Sequence, residues 1–234
     1  MLTADRGFNH LWLLLLSTAR YDPNYQPHTT LTRNLPFIFA GGLGMPPLGV
    51  GIATSFIGLL GLLLQFTIYP RVNNKLGIIK SYQYFLAIFP IAYALAPYIA
   101  LVPYSMSATT QTIDAWVWLA ILFILLLQVT ARTFTLPASI TLLNNCSPHP
   151  SVLGTMHGIG QSVSSAFRTI GPIASGSWYA YGLALGIVGF PWWILTLISV
   201  VGYAAAMFVH DGSALETPLV NTSKTFISRD SHTI

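Results

Sequence analysis

Charge is scarce in this chain: ten Lys and Arg and six Asp and Glu make up only 7% of 234 residues. Soluble domains carry about 25% charged residues, so a water-exposed globule coated with ionic side chains is excluded. Acidic residues are scarcest in the apolar runs, whose interiors hold no Asp or Glu; Asp114 stands only at a boundary. The single cysteine, Cys146, excludes an intrachain disulfide and a multi-cysteine zinc site and is read as a small residue at a helix end. Catalytic signatures are missing too: there is no HExxH, no GxxxxGK[ST] and no G-x-S-x-G. Gly158-Ile159-Gly160 is read as packing, and His149, between Pro148 and Pro150, has no cluster with which to hold a metal. No enzyme, cofactor or metal is therefore expected. The formal charge of +4 comes from scattered basic residues with no Lys/Arg run and no aromatic interleaving, so nucleic acid is not an expected partner.

What the chain has in abundance is apolar length, with 53% hydrophobic residues. A span of roughly 20 residues crosses a bilayer core of about 30 Å. Five stretches qualify, at about 45–69, 78–102, 115–137, 154–182 and 186–209. Backbone exposed to lipid must satisfy its own hydrogen bonds, so each is expected to be helical. The fold class is all-α, a polytopic membrane helix bundle with about five complete transmembrane helices. Residues 8–17 are apolar but too short to span. They read equally as the core of a signal peptide, with Ser17-Thr18-Ala19 as its cleavage region, or as the tail of a transmembrane helix. The expected organisation is 1–34 as a helix remnant plus extracytoplasmic loop, 35–209 as a five-helix transmembrane domain, and 210–234 as a cytoplasmic polar tail that is solvated and disordered.

Basic residues near span ends set orientation. Arg71, Lys75 and Lys80 between the first two spans place that loop in the cytoplasm, along with 144–150 and the tail carrying Lys224 and Arg229. Both Asn-x-Ser/Thr sequons, at Asn145 and Asn221, then face the cytoplasm and stay unmodified.

Charges inside spans are expensive and face a cavity or a partner. There are two, Arg132 and Arg168. At 3.6 residues per turn, His157, Gln161, Ser164, Arg168, Gly171, Ser175 and Tyr179 share one face of the fourth span. That face reads either as the lining of a polar path or, with Gly154, Gly158, Gly160, Gly171 and Gly176, as a close packing interface; packing alone does not require an Arg. Pro172 predicts a kink there. On the third span Gln128, Arg132, Thr135 and Ser139 share a face, where Arg132 either serves the path or snorkels to the interface. Thr54, Gly58, Gly61 and Gln65 form a weaker stripe on the first span, read as packing, and Pro90 and Pro97 predict bending of the second. With no acid inside the spans, Arg132 and Arg168 would need an anionic ligand, carboxylates from helices outside this chain, or carbonyl and aromatic contacts. The second of these suits an incomplete protein best.

The loop Tyr69-Pro70-Arg71-Val72-Asn73-Asn74-Lys75-Leu76-Gly77 resembles the basic, glycine-containing loop of the major facilitator superfamily between helices 8 and 9. The run from Asn144-Asn145-Cys146-Ser147-Pro148 through Thr155-Met156-His157-Gly158, with Gln161-Ser162-Val163-Ser164-Ser165 and Arg168-Thr169-Ile170-Gly171-Pro172, resembles helix 11 of fungal drug/proton antiporter-like members. Arg132-Thr133-Phe134-Thr135-Leu136-Pro137 resembles their helix 10. The resemblance implies that 8–17 is the end of helix 7 and that helices 8 to 12 follow, the C-terminal half of the fold. It implies proton-linked export of a small organic molecule, in the plasma membrane or the vacuolar membrane, against a missing N-terminal six-helix half. His157, Gln161, Ser164, Arg168, Gln128 and Arg132 would line the cavity, while Arg71, Lys75 and Gly77 would form a cytoplasmic gating loop. The rival reading is a non-transporting membrane partner or regulatory subunit that binds other helices through its small-residue faces.

Overall fold

The computed structural model describes residues 2–20, 37–39, 41–102, 114–145 and 150–208. The expected polar tail and most of residues 18–34 and 104–114, which lie between the apolar stretches, are outside the described residues, as are Cys146 and His149. Those described are helical apart from short connections: α1 Leu2–Ser17, α2 Pro47–Thr67, α3 Tyr69–Leu76, α4 Ile78–Leu86, α5 Ile88–Leu95 with a 3-10 turn at Ala96–Leu101, α6 Ala115–Asn145, α7 Pro150–Ala184 and α8 Phe190–Met207.

Local sequence accounts for the boundaries. Pro47 at the first position of α2 has a preset φ and no N–H to leave orphaned. Gly77 separates α3 from α4 at φ 76° and ψ 167°, a conformation essentially reserved for glycine. The expected bending of the second span is seen as a division. Pro90 cannot donate to the Leu86 carbonyl, and the helix breaks at Ala87; Pro97 coincides with the change to a 3-10 turn. Pro137 and Pro172 lie inside α6 and α7, so the third span continues past Pro137, where the sequence reading ended it, to Asn145.

By length and composition, four helical stretches among the described residues can cross a membrane: Pro47–Thr67, Ile78–Leu101, Ala115–Asn144 and Phe190–Met207. The fourth expected span forms the longest helix, 35 residues in α7, but is too polar to qualify on composition.

Helix α1 is the hub. It packs along α7 and also against α8 and α2, while α6 packs on α2, α4 and α5, and α5 on α8. Phe8, Leu11, Trp12, Leu15 and Leu16 are all fully buried. The Phe8 ring stacks on Trp12 at 5.6 Å and Tyr93 at 5.5 Å, and meets Trp192 edge-on at 5.5 Å, joining α1, α5 and α8. The outer faces are apolar. Leu48, Leu59, Leu62 and Phe66 on α2, and Trp116, Leu119 and Phe123 on α6, are exposed, as lipid-facing side chains are. Helix α1 is packed within the helix bundle.

The chain after α1 turns back over the helix end. Gly42, Leu43, Gly44 and Met45 donate backbone hydrogen bonds to the carbonyls of Ala19, Leu15, Thr18 and Leu16 at 2.8–3.0 Å. Carbonyls that a helix terminus leaves without partners are thereby satisfied. Gly42 permits the approach: a Cβ there would lie 2.3 Å from the Leu15 carbonyl oxygen.

Candidate functional site

Three helices meet at a buried polar cluster. Asp5 lies in the first turn of α1, where the helix dipole favours a negative charge, and is only 4% exposed. Its Oδ1 accepts a hydrogen bond of 2.9 Å from Gln128 Nε2, and its Oδ2 lies 3.6 Å from Arg132 Nε, both on α6. Gln128 and Arg132 are four residues apart, so one turn of α6 presents both to the same carboxylate. Tyr93 of α5 is fully buried beside them. The Tyr93 hydroxyl and Gln128 Oε1 are buried with no hydrogen-bond partner among the described residues.

The acid comes from outside the five apolar spans, and from this chain itself, a source that the three alternatives for Arg132 did not include. Asp5 escaped notice because the apolar run begins at Phe8, whereas the helix begins at Leu2. Asp5, Arg6 and Gly7, which precede the apolar run, are part of the same helix.

On its other side, Arg132 lines a cavity of about 440 Å³ between α2 and α6. Gly58, Gly61 and Gln65 of α2 and Thr133, Leu136 and Pro137 of α6 complete much of the wall. The α2 stripe read as packing therefore lines a cavity, apart from Thr54, whose hydroxyl bonds the Val50 carbonyl. Gln128 faces Asp5 instead and is absent from the lining. Thr135 and Ser139 spend their hydroxyls on carbonyls of their own helix. The guanidinium is thus the charged element of the cavity, anchored from behind by a buried carboxylate.

The polar face of α7 divides into two parts. Its C-terminal part packs against α1: Ser175 Oγ is 3.1 Å from His10 Nδ1, and the Tyr179 hydroxyl donates to Thr18 Oγ1 at 2.9 Å. A Cβ at Gly176 would lie 3.1 Å from the His10 ring. The N-terminal part is open. Gln161 and Arg168 are exposed, Ser164 is half-buried, and Arg168 makes no ion pair or hydrogen bond among the described residues. Gly154 and Gly158 have nothing within 4 Å of a would-be Cβ. His157 is tied to the end of α6 by a 2.5 Å contact between Nε2 and Asn144 Oδ1.

The basic loop is itself a short helix, α3. The Arg71 guanidinium donates to the Thr67 carbonyl at the end of α2, where a cation meets the negative end of the helix dipole. Lys75 and Gly77 are exposed. No group of three or more potential metal ligands occurs among the described residues.

Apolar outer faces, helices of membrane-spanning length and a polar cluster enclosed within the bundle define a polytopic helical membrane protein whose partner is the lipid bilayer. Comparison with known proteins narrows the class. The chain is 30% identical over 205 residues to the major facilitator superfamily multidrug transporter mfsB of Aspergillus fumigatus, a match covering 88% of this chain and 31% of that protein. It is also 30% identical over 168 residues to the major facilitator-type transporter psiT2 of Psilocybe cubensis, covering 69% of this chain and 32% of the relative. The psiT2 protein of Psilocybe cyanescens matches at 28% over 164 residues. No family profile and no solved structure matches. The chain belongs to the major facilitator superfamily, and it spans about a third of the length of the curated relatives it matches. Those relatives are named as transporters, not enzymes, in keeping with the lack of catalytic motifs.

Proposed function

We propose that this chain supplies the C-terminal membrane helices of a transporter for a small organic molecule, working against a second, six-helix half by alternating access. The observation that carries this reading is the open polar face of α7. The same stripe that packs against α1 at Ser175 and Tyr179 continues over Ser164, Gln161 and the exposed Arg168, which is unbonded among the described residues. A helix held in a bilayer needs a water-filled path or a polar partner along such a face. Arg71, Lys75 and Lys80 mark the cytoplasmic side in this arrangement, and the proposed direction is efflux, with proton coupling as its energy source; the Aspergillus relative is named a multidrug transporter. The plasma membrane or the vacuolar membrane is the proposed location.

A chimaera tests the proposal. This chain replaces the matching segment of the Aspergillus relative in yeast lacking its own efflux pumps, and export of a fluorescent dye is followed. The chimaera is expected to export dye, whereas the chimaera carrying Arg168→Ala reaches the membrane in normal amount but exports at least tenfold more slowly. A chimaera that accumulates in the membrane and exports nothing would favour the rival reading, in which the faces at Gly154 and Gly158 dock a partner helix without transport.

A further inference from the structure

Three cations stand close together in the sequence around the α3–α4 turn without a counter-charge. Arg71 and Lys75 lie on α3 and Lys80 in the first turn of α4, and all three are exposed. No Asp or Glu occurs from residue 23 to residue 113, and none of the three makes an ion pair among the described residues. The Arg71 guanidinium spends one N–H on the Thr67 carbonyl, which steadies its fork at the end of α2 and leaves its other donors free. Helix electrostatics accounts for only part of the set. Lys75 suits the negative end of α3, but Lys80 stands at the positive end of α4, where a cation is disfavoured.

Helix length places these cations at the membrane surface. The backbone runs almost unbroken from α2 into α3, with the Ile68 N–H bonded to the Leu64 carbonyl and the Val72 N–H to the Ile68 carbonyl, each at 3.0 Å. At 1.5 Å per residue the path from Pro47 to Leu76 is about 45 Å, against a hydrocarbon core of about 30 Å. Apolar α2 fills that core, so α3 emerges from it. The residues of α3 are sorted accordingly: Tyr69, Val72 and Leu76 share one face, and Arg71 and Lys75 the opposite one. The Tyr69 ring lies 5.4 Å from that of Phe134, which stacks on Phe85 at 3.7 Å, so the apolar face is pinned to α6 at its start. Further along, Leu76 is 41% exposed, and Ile68 before α3 is 42% exposed. Exposed apolar groups beside exposed cations match the boundary between acyl chains and headgroups.

We propose that α3 and the first turn of α4 form a binding surface for an anionic phospholipid, its headgroup charge met by Arg71, Lys75 and Lys80 and its acyl chains lying against Ile68 and Leu76. The lipid is a resident partner rather than a transported molecule, and the surface is separate from the open face of α7. A cation near an anionic membrane surface contributes about fivefold to affinity, so three of them give a preference of about a hundredfold over a zwitterionic lipid. This inference goes beyond the transport reading and stands without it.

The test titrates the purified full chain, in maltoside micelles, with dioleoylphosphatidylserine or dioleoylphosphatidylcholine and resolves the bound lipids by native mass spectrometry. Phosphatidylserine is expected to bind at least tenfold more tightly, and raising the salt from 0.1 to 1 M before the final exchange should erode the difference. The double variant Lys75→Gln, Lys80→Gln, which alters only exposed side chains, should lose at least tenfold of the preference. Lys224→Gln with Arg229→Gln removes the same charge from the tail and should keep it. Glycerophosphoserine, the headgroup without acyl chains, should not compete. Equal affinity for the two lipids, an unchanged preference in the double variant, or an equal loss in the tail variant overturns the proposal. Competition by glycerophosphoserine overturns it in favour of a soluble anion. Preference that emerges only after Asp211→Asn, Glu216→Gln and Asp230→Asn overturns it in favour of the chain's own acidic tail as occupant. Absence of either lipid from folded protein overturns it as well, and none of these outcomes bears on the dye-export result.

Discussion

Gly42→Ala should be the most damaging single methyl group that can be added near α1. The new Cβ would stand 2.3 Å from the Leu15 carbonyl oxygen, 2.6 Å from that of Thr18 and 2.9 Å from the Thr18 Cβ. Two of these are backbone atoms, so no rotamer change relieves the clash, and the 42–45 segment must retreat by about 1 Å to restore ordinary contact. That retreat loosens four hydrogen bonds of 2.8–3.0 Å to the end of α1. At about 0.5–1.5 kcal/mol each they total roughly 2–6 kcal/mol, toward the upper end if the exposed carbonyls meet lipid rather than water. Phe39, three residues ahead of Gly42, has a carbonyl that accepts from Val188 before α8, so the damage is expected to reach the α7–α8 connection. With a stability change near 3 kcal/mol or more, the thermal midpoint in detergent should fall by about 10 °C, measured by fluorescence-detected size exclusion after heating. Gly58→Ala is the control: nothing lies within 4 Å of its Cβ position, and alanine is the better helix former, so its midpoint should equal or exceed the wild type. A Gly42→Ala protein with an unchanged midpoint would refute the claim that this segment seals α1.

Gly77→Ala should lower the same midpoint although its site is empty of neighbours, because φ 76° and ψ 167° strain any residue with a Cβ by about 1–3 kcal/mol; an unchanged midpoint would show that α3 and α4 do not need that turn. Tyr179→Phe removes the 2.9 Å hydrogen bond to Thr18 and leaves the aromatic packing in place. It should cost about 1 kcal/mol, read as a midpoint shift of a few degrees.

The bundle was legible in the sequence because lipid demands long apolar runs, and α2, the α4–α5 segment, α6 and α8 each supply one. Pro90 and Pro97 announced the divided second span because a missing N–H acts locally. Asp5 was not legible, since its importance depends on tertiary packing that carries the first turn of α1 onto α6. Hydropathy points away from it: Asp5 and Arg6 make Leu2–Gly7 look like a polar lead-in. The role of Gly58, Gly61 and Gln65 was missed for a related reason, because small residues on one helix face look the same whether the opposing helix fills the groove or leaves it open. Here the Arg132 side chain and Pro137 share the wall of that groove.

The two parts of the α7 stripe show how one helical face can serve two ends. Gly171, Ser175 and Tyr179 are buried against α1, where small residues bring two backbones close and hydroxyls find partners. Toward the N-terminus the stripe stays polar but loses its cover, while the opposite face shows exposed Ile159, Val163, Phe167 and Ile170. One side is therefore suited to lipid, and the other cannot be left to it. An arginine at the centre of a lipid-facing helix costs at least 2.5–3.5 kcal/mol on insertion scales, and Gln161 and Ser164 add to that. Packing would have placed the largest polar group among the glycines that allow close approach. Instead, Gly176 meets His10 within the α1 contact, whereas Gly154 and Gly158 lie on the same open stretch as Arg168. That separation of tight contact from retained charge fits a helix anchored at its C-terminal part and presenting its N-terminal polar face to a path.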